Sequence, residues 1–325
     1  MTSLFWGNQG NYWGILGLSA FSVALVGCDL VIESPSVPET REAERPSIVA
    51  TSTMITDWAG QIGNDVIELK GILEPGADPH IYEPVPEDSI ALEEANLIFY
   101  NGYNLEPNLI KLITGTGTAA RAVAVGEIVT PLDFDYKGQK EPDPHVWGDV
   151  KNVVQMVTLI RDELIRLVPE HEAELTENAN NFIAELIQLD GWITAQIATI
   201  PAKKRLLITT HDAFQYYTEA YGLEVAGTLI GISTEEQPSA QRVKQLSEAI
   251  SNLDVPAIFA ETTINPQLIT TVATEAGVQL ATTELYSDSI GTPDSEADTY
   301  INMMVTNTRI IVENLGGNYS PFAPE

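Results

Sequence analysis

Two short phrases place an imidazole behind the same dipeptide: Asp78-Pro79-His80 in "PGADPHIYEP" and Asp143-Pro144-His145 in "EPDPHVWGDV", each with an aromatic residue two positions on. The chain holds only four histidines, so a repeated setting is informative. Imidazole nitrogen suits Mn, Fe, Co, Ni, Cu and Zn, and carboxylate oxygen adds charge and accommodates harder ions. Proline fixes φ just before each histidine, which lowers the loop entropy lost when the side chain is captured. The phrase therefore reads as a rigid turn presenting imidazole. A third histidine, His211, directly follows the apolar run "RLLITT". An isolated loop histidine is ordinarily solvated or hydrogen-bonded; three standing where a strand gives way to a loop point instead to one shared divalent ion. These residues alone leave any carboxylate ligand open. Asp78, Asp143 and Glu261 are candidates to accept the second N–H of a ligand imidazole, and each has the alternative of being a simple turn or surface acid. His171, in "VPEHEAEL" at the start of a helical pattern, reads as solvated.

The elements that must position these residues alternate. "SIVATS" is strand-like, Ile55, Trp58, Ala59 and Ile62 have helical spacing, "VIELKGIL" is a second strand, and "SIALEEANLIFYNG" is a helix running into the strand "NLIFYN". A further helix starts near Asp149. Leu175, Ala179, Phe182, Leu186, Leu189, Ile193 and Ile197 recur at intervals of three and four without internal proline. That predicts one amphipathic helix about 40 Å long at 1.5 Å per residue. Alternation then resumes, with "RLLITT", "EVAGTLI", "AIFAET" and "QLATTELY" as strands and "DAFQYYTEAYG", "SAQRVKQLSEAISNLD", "PQLITTVATEAG" and "DTYINMMVTNTRIIVENL" as helices. The expected fold is α/β: two lobes with mainly parallel sheets, joined by one long rigid helix, with the metal site in the cleft where strand ends face one another. The expected boundaries are 47–168 and 201–325 for the lobes and 169–200 for the linking helix.

A length of 325 residues suits two lobes with their own cores. Sixteen Lys plus Arg against 46 Asp plus Glu, a formal charge of -30, exclude a nucleic-acid partner, which needs a basic surface. The charge attracts cations and keeps the chain soluble. The single cysteine, Cys28, rules out an internal disulfide and a thiolate cluster. It ends the run "WGILGLSAFSVALVGC", shorter than a bilayer-spanning helix requires. "LVGC" resembles the lipobox of bacterial lipoproteins, although residues 1–28 lack the Lys or Arg that usually opens such a leader. The expectation is a leader over 1–28, lipidation at Cys28, a flexible tether over 29–46 and an extracytoplasmic protein held to the membrane by its lipid.

Five phrases in order, "DPHIYEPVPEDSIALEEANLIFYNGYNLEP", "DPHVWGDVKNV", "LLITTHDAFQYYTEAYGL", "GISTEEQPSAQ" and "LYSDSIG", resemble the metal-binding solute receptors of bacterial ABC transporters, the manganese, zinc and iron group also called adhesin lipoproteins. The resemblance covers about residues 46 to 315. It implies two α/β lobes bridged by a rigid helix, ligands at His80, His145 and His211, and a fourth at Asp288 in "LYSDSIG". It also implies a monomeric receptor that takes one Mn2+, Zn2+ or Fe2+ as cargo and delivers it to a permease with its ATPase. Three nitrogens favour zinc by intrinsic affinity. Zinc members, however, commonly carry a His- and Asp-rich loop that is missing between Glu106 and Pro142, and "FYNGYNLEP" and "SDSIG" are closer to manganese members. Manganese is therefore placed ahead of zinc.

Two other classes compete. A zinc hydrolase would use the same three histidines, a water in the fourth position and Glu261 as base. The chain has neither a helical H-E-x-x-H motif nor a Ser or Cys nucleophile motif. A surface adhesin would need exposed apolar patches for a partner.

Overall fold

The computed structural model describes residues 45–324 apart from positions 116 and 137. Cys28, the expected leader and nearly all of the tether lie outside the described residues. The first lobe opens with β1 (Ser47–Ala50), α1 (Thr53–Gly63), β2 (Glu68–Gly71), α2 (Pro86–Glu94), β3 (Leu97–Tyr100), α3 (Pro107–Gly115) and β4 (Arg121–Ala124). The four strands form one parallel sheet in the order β2-β1-β3-β4, with Ser47 opposite Glu68 and Ile48 opposite Leu97. Ser52 caps α1 by accepting from Ile55 N, so the chain turns into the helix directly at the carboxyl end of β1. Residues 107–142 carried no predicted element. There the chain adds α3, the edge strand β4 and an antiparallel hairpin, β5 (Asp133–Tyr136) with β6 (Gln139–Pro142), before α4 (Val150–Leu167).

A single 3-10 turn at Pro169–His171 leads into α5 (Glu172–Ala198), whose 27 residues extend about 40 Å. All seven apolar positions of its periodic stripe are buried. The stripe packs on α1 and α4 and, from the other side of the molecule, on α9 (Tyr300–Asn314). One continuous apolar core thus runs from Ile48 and Phe99 through Leu186 and Ile197 to Tyr300 and Ile311. The lobes share this core as well as the helix that joins them.

The second lobe contains β7 (Leu206–Thr209), α6 (Gln215–Tyr221), β8 (Glu224–Thr228), α7 (Ala240–Ile250), β9 (Ala257–Ile258), α8 (Gln267–Ala276) and β10 (Gln279–Leu280). The pairs β7-β8 and β9-β10 are parallel, and Phe259 N bonds Ile208 O to bring the pairs together. Gly222 and Gly277 end α6 and α8 in left-handed conformation, where a side chain is costly. The expected strands "AIFAET" and "QLATTELY" are each only two residues long. After Leu280 the chain leaves the ladder and touches it again at the Glu261–Leu285 bridge. The stretches that stop being strand are those that carry Glu261 and Asp288 toward the centre.

Candidate metal centre

Four segments converge. His80 lies in the loop after β2, His145 caps a 3-10 turn after the hairpin, His211 is two residues past β7, and Asp288 lies on the irregular path between β10 and α9. His80 Nε2 is 3.2 Å from His145 Nε2, His145 Nε2 is 3.4 Å from Asp288 Oδ1, and His211 Nε2 is 3.2 Å from Asp288 Oδ2. The ligand atoms of the four lie within 4.8 Å of one another, and all four residues are buried. Separations of about 3.4 Å are the edges of a tetrahedron whose corners stand about 2.1 Å from a central ion. Each Asp288 oxygen faces a different imidazole, so the carboxylate can engage an ion through both.

The donor set fits a cation. His211 Nε2 and both Asp288 oxygens are buried without a hydrogen-bond partner, an arrangement costly enough to call for one. Behind the rings, Asp143 Oδ1 takes His145 Nδ1 at 2.7 Å and Glu261 Oε2 takes His211 Nδ1 at 2.5 Å. Each fixes the tautomer that turns Nε2 inward and makes the ring a better donor. The same acids hold the backbone: His145 N donates to Asp143 Oδ1 at 2.9 Å and His211 N to Glu261 Oε1 at 2.8 Å. Asp78 differs. Its Oδ1 accepts from His80 N at 2.9 Å, the same turn bond as at Asp143, but it has no bond to the His80 ring. Of the three candidate acids, two hold rings and one holds only a turn.

Electrostatics follow this division. Burial works against a charged His145, yet Asp143 and Asp288 outweigh it and pull its pKa up to about 9. Burial likewise opposes charge on His211, and Glu261 and Asp288 overcome it, raising the ring well above its ordinary value. His80 goes the other way: burial, opposed by Asp288 and reinforced by the two neighbouring rings, pushes it down to about 3. Asp288, although burial would raise it, is held well below the usual carboxylate range, first by His211 and then by His145.

Several supporting residues carry no signal that sequence reasoning used. Asn101 Nδ2 donates to Pro144 O at 3.0 Å, Tyr216 OH donates to Asp143 O at 2.9 Å, and Trp147 Nε1 donates to Ser287 O at 2.9 Å. A Cβ on Gly148 would stand 2.9 Å from Tyr217 N, so glycine lets the His145 segment lie directly on α6. Trp147 is the aromatic two positions past His145; the other ties join residues distant in sequence. His171 is on the surface, 3.3 Å from Glu174, and has no part in the cluster.

The family model described as "Zinc-uptake complex component A periplasmic" (ZnuA) matches residues 48–314. The chain belongs to the ZnuA family. It is 32% identical over 294 residues to the manganese-binding lipoprotein MntA of Halalkalibacterium halodurans, covering 90% of this chain and 95% of that one. It is 34% identical over 276 residues to the zinc-binding protein TroA of Treponema pallidum, covering 83% and 89%. The solved periplasmic zinc-binding TroA structure superposes with a TM-score of 0.79 at 33% identity over 83% of this chain and 99% of that one. Members of the ZnuA family are metal-binding transport receptors, which overturns the hydrolase alternative. The geometry agrees: Asp288 stands where a catalytic zinc would keep its water, and both Glu261 oxygens are taken by His211. The adhesin alternative finds no support in the relatives' descriptions.

Proposed function

We propose that the protein captures one divalent transition-metal ion between its lobes, through His80, His145, His211 and Asp288, and delivers it to the permease of an ABC transporter powered by a separate ATPase. The observation that carries this reading is the buried meeting of three imidazoles and a carboxylate, with unpartnered atoms facing one point, in a ZnuA-family chain. Residues 47–168 and 201–325 act as the two jaws and 169–200 as their link. Closure then depends on the ion, because its ligands come from both jaws, and release follows when the permease disturbs them.

Manganese is the favoured cargo and zinc the second. A carboxylate that offers both oxygens raises the coordination number above the four of structural zinc, while three nitrogens retain a strong intrinsic preference for zinc. The relatives' descriptions name both metals. The receptor works outside the cytoplasm as a monomer attached through a lipid on Cys28. Among the described residues no helix is long and apolar enough to cross a membrane. Native mass spectrometry of the protein with Mn2+ and Zn2+, separately and mixed, tests the reading. One ion per chain, absent in His211→Ala, is expected; no stoichiometric ion, or binding indifferent to the substitution, would overturn it.

A further inference from the structure

The four ligands are held unequally. His145 and His211 each have a carboxylate on both the backbone N–H and the ring. Asp288 sits between two residues tied across the cleft: Ser287 O accepts from Trp147 Nε1 at 2.9 Å, and Ser289 Oγ accepts from Gly76 N at 2.7 Å. Among the described residues no carboxylate bonds the His80 ring; Pro79 and His80 are buried, and the next residue, Ile81, is 51% exposed. The bond from His80 N to Asp78 Oδ1 is what fixes the turn. The second oxygen of Asp78 is also occupied. It accepts the hydroxyl of Thr234 at 2.6 Å, a bond between residues 156 positions apart that joins the first lobe to the second.

Thr234 lies in the loop between β8 and α7. It sits in a tight turn after β8, where Ser233 O accepts from Glu236 N and Ser233 Oγ accepts from Glu235 N. Earlier in the same loop, the carbonyl of Gly231 accepts from Asp212 N, the residue after His211. Thr234 therefore moves with the chain that carries His211, yet it grips the turn that carries His80.

We propose that Thr234 is a positioning residue for His80, a clasp through Asp78 that sets how long the ion is retained. This rests on the metal-receptor reading. With the clasp closed, the Thr234 hydroxyl fixes the plane of the Asp78 carboxylate, and Oδ1 stays aimed at His80 N. When the second lobe shifts, the bond to Thr234 breaks, the carboxylate is free to rotate, and the turn loses the bond that held it. His80 then leaves the ion first, while His145, His211 and Asp288 still hold it. Release is stepwise and starts at His80. A hydroxyl bond to an ionised carboxylate is among the stronger neutral-to-charged bonds, so its loss is measurable.

The test compares wild type, Thr234→Val and Thr234→Ser, each loaded with Mn2+ or Zn2+ and mixed rapidly with excess chelator. Thr234→Val is expected to speed ion release about tenfold with an association rate within about twofold of wild type, and Thr234→Ser to restore slow release. A second readout needs no ion: in metal-free protein, hydrogen exchange at the His80 amide should rise in Thr234→Val and return in Thr234→Ser. A residue important only for folding would alter the melting temperature and exchange throughout the second lobe. Release and His80 exchange both unchanged in Thr234→Val would overturn the clasp while leaving the receptor reading intact. Failure of wild type to retain any ion would overturn the receptor reading and the retention role together, and the amide exchange would still report whether Thr234 holds the turn.

Discussion

The two Asp-Pro-His turns begin alike and end differently. In both, the aspartate accepts the backbone N–H of the histidine two residues on, at 2.9 Å. At Asp143 the same oxygen also takes the imidazole, whereas Asp78 turns its other oxygen to Thr234. The aromatic residue that follows diverges as well: Trp147 reaches across the cleft to Ser287 O, while Tyr82 bonds Asp88 within its own lobe. One turn is built into the joint between lobes and the other stands at its edge. A local motif thus specifies how an imidazole is presented, and the tertiary surroundings decide how firmly it is held.

The sharpest way to break this contrast is to remove what His145 and His211 share. Asp288→Ala leaves His145 and His211 facing each other without the carboxylate between them, and Mn2+ affinity should fall about a thousandfold, the scale of breaking a buried charged pair. Competition titration against a fluorescent chelator measures it. Next in size is the comparison of the two turn acids. Asp143→Asn should cost about 10- to 100-fold in affinity, as loss of a ligand's carboxylate partner does, and Asp78→Asn clearly less. Equal losses would mean that the two turns are equivalent.

A third effect separates the rings by proton count. His145 is pulled up to about 9, so in the metal-free protein at neutral pH it carries a proton that an incoming ion must expel; His80, pushed down to about 3, carries none. Affinity should therefore fall as pH is lowered below about 9, by about tenfold per unit for each proton released. Calorimetry at pH 7 in buffers of different ionisation enthalpy counts those protons, and Asp143→Asn should lower the count. The smallest effect belongs to the prolines. Pro79→Ala and Pro144→Ala should each reduce stability by less than about 1 kcal/mol, through the unfolded chain, as read by urea denaturation.

Much of this contrast was hidden in the sequence. The three histidines were legible because they are scarce and repeat a setting, and the long helix because its seven apolar positions keep one period and are all buried. Asp288 was not legible from composition, since one acid among 46 has no distinguishing spacing; only the resemblance of "LYSDSIG" to a known family pointed to it. The short second-lobe strands were overestimated because stretches such as "QLATTELY", with two adjacent threonines and a tyrosine, have strand propensity, while the chain leaves the ladder after Leu280 on its way to Asp288. Tyr216, Asn101 and Thr234 lie within the phrases that carry the family resemblance, but their partners are distant in sequence, so no local spacing shows what each of them holds.

One ion is expected where the four side chains meet. Anomalous diffraction from crystals of the manganese-loaded protein tests it most directly. A single strong peak is expected about 2.0–2.3 Å from Nε2 of His80, His145 and His211 and from the Asp288 carboxylate. A peak elsewhere on the molecule, or none at full loading, would contradict it.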